Sequence, residues 1–139
     1  MVRILFLVVF ALVGLTWLSA FRSPLVQADT LTGAWQLRNG NEQQVLQFQD
    51  GYVTHTTFDK EGKRFLHTSG GRYDVQPGQL SITYEFDTKN KEQIGTTTRY
   101  PFTVQGSRLN TSLSGTEAAW QRVDDGREGL SGLWEITAR

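Results

Sequence analysis

From Leu80 to Asp87 the chain reads Leu-Ser-Ile-Thr-Tyr-Glu-Phe-Asp, apolar at every even position and polar at every odd one. A helix scatters such a pattern around its circumference, whereas an extended strand sorts it onto two faces, one buried and one wet. The same reading puts Leu46 and Phe48 inward on an earlier strand. It does the same for Tyr100, Phe102 and Val104 on a later one, and for Leu109 and Leu113 after that. No stretch after Asp29 sustains the i, i+3, i+4 spacing of an amphipathic helix, so the spacing predicts an all-β domain.

Turn residues divide the alternating runs. Asp50-Gly51 and Pro77-Gly78 are hairpin signals, because their glycines accept the positive φ that a tight reversal requires, and Glu61-Gly62 and Gly106-Ser107 read similarly. The spacing predicts eight strands, at about 32–38, 43–49, 52–59, 63–75, 79–87, 95–105, 108–113 and 118–123. Eight short antiparallel strands joined by tight turns can close into an up-and-down barrel without an exposed edge. An open sandwich is the alternative.

The fourth strand does not alternate cleanly. Pairing around the turn near Glu61 places Leu66 inward beside Thr56, while pairing around Pro77-Gly78 places Tyr73 and Val75 inward with Ile82 and Leu80. An extra residue turns a strand over, and glycine tolerates the backbone involved, so a bulge is expected at Gly70-Gly71.

Gly33-x-Trp35 opening the first strand, Gly71-Arg72-Tyr73 before a Pro-Gly hairpin, Gly95 starting the sixth strand and Trp120-x-Arg122 in the last resemble bacterial lipocalin-like domains of the calycin group. The resemblance covers about residues 30–124. It implies that Trp35 sits at the closed end of the barrel with Arg122 laid across it, a pair that marks the fold and carries no chemistry. A guanidinium over an indole face contributes roughly 0.5 to 2 kcal/mol. The chain departs from larger lipocalins in its shorter strands and in lacking their disulfides and C-terminal helix, which argues against a roomy cavity.

The ends are of a different character. Met1-Val2-Arg3 precedes an almost wholly apolar run of 18 residues, Ile4 to Phe21, and Val26-Gln27-Ala28 offers small residues for a signal peptidase. Residues 1–28 are therefore expected to be a signal peptide and residues 29–124 an exported, periplasmic or secreted barrel. The alternative is an uncleaved anchor, the one membrane contact foreseen. There is no cysteine, which excludes a lipoprotein anchor and disulfides, so packing alone must hold the domain. Without Arg3 and Arg22 the chain carries 12 basic and 14 acidic side chains, and no nucleic-acid partner is implied. Leu31-Thr32-Gly33-Ala34-Trp35-Gln36-Leu37 returns 99 residues later as Leu130-Ser131-Gly132-Leu133-Trp134-Glu135-Ile136. Residues 125–139 then read as a linker and the first strand of a truncated second repeat.

Chemistry has few candidates. There is no cysteine nucleophile, and the two histidines, His55 and His67, are expected as direct cross-strand neighbours on the solvated outer face. Two imidazoles fall short of the three protein ligands of a catalytic zinc site, and no metal or cofactor is implied. The carboxylates Asp50, Asp59, Glu61, Asp87, Glu92, Asp124 and Asp125 are expected in turns and on wet faces, none inside. The domain is therefore read as non-enzymatic. Its inner face gathers Tyr52, Phe58, Tyr84, Phe86, Tyr100, Phe102 and Trp120 as candidate ligand-binding residues for a small, partly apolar molecule. A dry void of ~300 Å³ would cost about 7 kcal/mol at ~24 cal/mol per Å³, so either these rings pack on one another and fill the barrel or the pocket is shallow and open to water, which the hydroxyls of Tyr52, Tyr84 and Tyr100 favour. The other reading is a structural or protein-binding module, including an inhibitor-type one, of a tandem-repeat extracytoplasmic protein.

Overall fold

The computed structural model describes residues 30–127 together with Gly129 and Gly132. The expected signal peptide and, Gly132 apart, the second-repeat segment with Trp134 lie outside the described residues. Eight antiparallel strands follow one another: β1 (Gly33–Asn39), β2 (Glu42–Gln49), β3 (Tyr52–Asp59), β4 (Arg64–Gln76), β5 (Gln79–Asp87), β6 (Thr97–Gln105), β7 (Arg108–Thr111) and β8 (Ala118–Asp124). Each pairs with its neighbour in sequence and β8 pairs back onto β1, so the sheet is a closed barrel and not a sandwich. Every strand expected from the spacing is present, with ends within two residues. Between β5 and β6 a single 3₁₀ turn spans Lys91–Gln93.

The tight turns carry the chemistry that their residues announce. Asp50 and Gly51 both take positive φ, 50° and 79°, as a two-residue type I′ reversal requires, and they pair Gln49 with Tyr52 and Phe48 with Val53. That register fixes the orientation of β3. Since Phe48 points inward, so must Val53, and with it the odd residues His55 and Thr57.

One end of the barrel is solid. Leu31, Trp35, Leu46, Phe48, Val53, Leu80, Ile82 and Leu109 are buried there, with Tyr73, Val75 and Val104 packed against them. The ring of Phe48 meets Tyr73 edge to face at 5.2 Å. Trp35 donates its indole N–H to the Leu31 carbonyl at 2.8 Å, and the Arg122 guanidinium lies 4.2 Å from its ring centroid. Arg122 also donates to the carbonyls of Thr30 and Thr32, tying the lead-in of β1 to β8 across the seam. Gly33, with φ of 110°, passes so close to β8 that a Cβ there would lie 2.1 Å from the Asp124 carbonyl oxygen.

Two register shifts decide what fills the other end, and both correct the sequence reading. The shift at the glycines exists, but the extra residue belongs to β5: Gly70 pairs with Phe86 and Gly71 with Tyr84, which leaves Glu85 unmatched. It is β5 that turns over, so Phe86 points out and Asp87 points in. A second shift pairs Thr57 with His67 and Phe58 with Phe65, leaving Leu66 as the bulged residue. Thr56 consequently does not share the interior with Leu66. It faces outward and joins Thr68, hydroxyl to hydroxyl at 3.1 Å.

Candidate functional site

Above the apolar plug the barrel opens into a cavity of about 300 Å³, lined by both histidines, Gln44, Thr57, Ser69, Tyr84, Asp87 and Tyr100 and rimmed by Glu42, Lys89, Gln93 and Ser114. Its lining is polar because the β2–β3 hairpin turns the polar residues of β3 inward, their partners on β4 follow, and the bulge at Glu85 turns the end of β5 inward. His55 and His67 are therefore interior groups, not a solvated outer pair, and they sit diagonally: His55 is matched with Ser69, and His67 with Thr57. Their ring centroids are 6.1 Å apart. Among the described residues no three His, Cys, Asp or Glu side chains are grouped as a metal would need.

The aromatic set expected to line the cavity divides. Tyr84 and Tyr100 do line it, joined hydroxyl to hydroxyl at 2.7 Å. Trp120 is fully buried and meets His55 edge to face at 5.8 Å, which puts it beneath the lining, and Phe102 is buried in the packed interior. Tyr52, Phe58 and Phe86 lie on the outer face. The Arg72 guanidinium sits 4.8 Å from the Tyr52 ring centroid, Phe58 is matched with the exposed Phe65, and Phe86 is 40% exposed with its ring over Gly70. The physical reason is register: β3 is set by its hairpin to β2, and β5 by the bulge at Glu85.

A network built from both strand pairs holds the polar groups. Glu42 accepts from the Gln44 amide nitrogen at 3.0 Å, so the Gln44 oxygen faces His55 Nε2 at 2.9 Å. Across the cavity His67 Nε2 donates to Asp87 Oδ1 at 3.0 Å, and the same oxygen accepts the backbone N–H groups of Lys89 and Asn90, each at 2.7 Å. Asp87 was expected on a wet face, yet its side chain is only 3% exposed. Burial works against its charge, but the amides of Asn90 and Lys89 and the His67 ring outweigh it and hold the carboxyl below the usual range. Burial, the Tyr100 hydroxyl and its charge raise the Tyr84 phenol well above its usual value, so it stays neutral.

Burial, followed by the nearby His67 charge, pushes His55 down to about 4 from its ordinary 6.5, with Asp87 opposing. The unfolded chain thus binds a proton at His55 that the folded chain refuses. Stability is expected to be full above pH 6.5 and to fall as the pH drops toward 4, by about 1.4 kcal/mol per unit and roughly 3 kcal/mol in all. Asp87 adds a separate loss at still lower pH, as the pH falls through its depressed folded value. Urea melts at half-unit steps between pH 7 and 4 measure the slope. His55→Gln should flatten it, and an unchanged slope in that variant would assign the proton elsewhere.

A signal for part of this site was present in the sequence. The two-residue Asp50-Gly51 turn, taken with an inward Phe48, already forces Val53, His55 and Thr57 inside. The unmatched Glu85 left no comparable mark.

Among solved structures, a lipocalin-like protein from Bacteroides uniformis is similar to this chain, at 19% identity over 67% of this chain and 98% of its own, with a TM-score of 0.49. No family model matches the chain, and no curated protein matches it. With eight antiparallel strands, each bonded to the next and the last to the first, the domain is a closed up-and-down β-barrel, an architecture that lipocalins share.

Proposed function

We propose that this domain is an exported, non-enzymatic binding barrel that holds one small polar molecule in its open end. One observation carries the reading: the barrel is packed solid at one end and leaves a cavity of about 300 Å³ at the other, where side chains from β2 to β6 converge. That volume lies at the lower end of the range for ligand pockets, about 300 to 1,000 Å³. Wet and polar, such a cavity escapes the penalty of a dry void, and hydrogen bonding in place of apolar contact selects its occupant. Export rests on the apolar run at Ile4–Phe21 and the small residues at Val26-Gln27-Ala28 that follow it.

Thermal-shift measurement of the purified protein against amino acids, sugars, nucleobases, small amines and planar phenolics tests the reading. A specific occupant at 100 times its Kd adds about 2.7 kcal/mol of stability and raises the melting temperature by roughly 10 °C. Tyr100→Phe, which removes one cavity hydroxyl and leaves the core intact, should reduce the shift. A flat response across the panel, with a solved cavity holding only water, removes the proposal. In that case the tandem, protein-binding reading becomes the one to pursue.

A further inference from the structure

The hydrogen-bond directions inside the cavity specify which kind of molecule it accepts. Each free atom follows from a partner already fixed. The Gln44 amide is oriented by Glu42, so its oxygen takes the proton of His55 Nε2, which leaves His55 Nδ1 as a bare acceptor. Ionised Asp87 can only accept, so His67 Nε2 is the donor in their bond, and His67 Nδ1 is an acceptor whenever that ring is neutral. All three hydrogen bonds to Asp87 fall on Oδ1. Its other oxygen belongs to a side chain almost wholly shielded from solvent, and it receives none of them.

On the opposite wall the polarity runs the other way. The Tyr84 and Tyr100 hydroxyls lie 2.7 Å apart and either can donate to the other, so the bond between them uses one proton and the pair keeps the second to give. The cavity thus offers acceptors at Asp87 Oδ2, His55 and His67 along β3 to β5, against one hydroxyl donor from the Tyr84 and Tyr100 pair. Its formal charges are Asp87 and Glu42, both negative, and the rim ammonium of Lys89. With neutral imidazoles this leaves one negative charge in surplus.

We propose that the occupant is a small organic cation, a primary ammonium or amidinium, whose N–H groups bind Asp87 Oδ2 and the adjacent imidazole nitrogens while its body lies toward Tyr84 and Tyr100. The inference rests on the binding role proposed above and names its ligand class. A charged N–H to carboxylate bond is about twice as strong as a neutral one. In this position it also pairs with a carboxylate oxygen that none of the three existing bonds uses, which an anion would repel.

A series alike in shape and different in charge tests it: 2-phenylethylamine, 2-phenylethanol and phenylacetate, titrated calorimetrically into the full protein at pH 7.5, with benzamidine as a second cation. The amine is expected to bind at least tenfold more tightly than the alcohol, and phenylacetate not measurably. Asp87→Asn keeps an oxygen for the three existing bonds and replaces the free acceptor with an N–H donor, so the amine's advantage should vanish while the alcohol's affinity stays. If that variant does not fold, the series on the natural protein still decides. Equal or tighter binding of the alcohol or the acid overturns the cation assignment and leaves the binding role standing. Failure of both cations also overturns it, and the wider panel then judges the binding role separately.

Discussion

Replacing Trp35 with alanine is expected to cost about 3 to 5 kcal/mol, the range for removing a buried Trp or Phe. This is a large part of the ~5 to 15 kcal/mol that holds a domain together. The side chain is fully buried, donates to the Leu31 carbonyl and carries the Arg122 guanidinium on its face. Its loss opens a void in the closed end and strands a buried carbonyl. It also removes the surface on which the only arginine bridging the lead-in of β1 and β8, among the described residues, is laid. With no cysteine in the chain, noncovalent contacts alone close that seam. Urea denaturation followed by far-ultraviolet circular dichroism measures the effect. Trp35→Phe, which keeps most of the volume, should fall in between. A loss below about 1 kcal/mol for the alanine variant would show that the seam is held by its backbone ladder alone.

The second large effect is expected at Gly71. A Cβ there would lie 2.0 Å from the Thr83 carbonyl oxygen and 2.7 Å from the Glu85 amide nitrogen, both backbone atoms that no rotamer change can move. Gly71→Ala must therefore part β4 from β5 at the bulge, at roughly 3 kcal/mol, the upper end of overpacking costs. The damage should extend beyond stability. Prising the strands apart where Glu85 is unmatched disturbs the step that turns Asp87 inward, so the His67 to Asp87 bond should weaken as well. Comparing Gly71→Ala with Gly78→Ala separates close approach from turn strain, because Gly78 has open space around it and a φ of 72°. The Gly71 variant should be the more destabilised, and NMR of the His67 ring should move only in that variant.

The strand count and the turns could be read from the sequence because each rests on a local rule: alternation marks strands, and Asp-Gly and Pro-Gly mark reversals. The closed end, with its Trp35 and Arg122 pair, was implied by the resemblance to lipocalin-like domains. The open end could not be read that way, since the usual guide, apolar inside and polar outside, is inverted there. Thr54-His55-Thr56-Thr57 has no apolar contrast, and the two aromatic residues that frame it, Tyr52 and Phe58, share the parity that turned out to face water. On β5 the guide works as far as Tyr84 and then fails across a single residue, exchanging Phe86 for Asp87. Burying a carboxylate where an apolar ring was available is unfavourable for packing. It becomes intelligible only once the Lys89 and Asn90 amides and the His67 ring are seen to receive the charge.

The unmatched Glu85 makes the character of this vessel a matter of spacing more than of vocabulary. Match Glu85 with Gly70 in an unbroken ladder and the same letters would hang a phenyl ring in the bowl and put the carboxylate out in water. A barrel of this kind can thus change what its bowl presents by gaining or losing one kink beside the twin glycines, with the amino acids of the strand left unchanged.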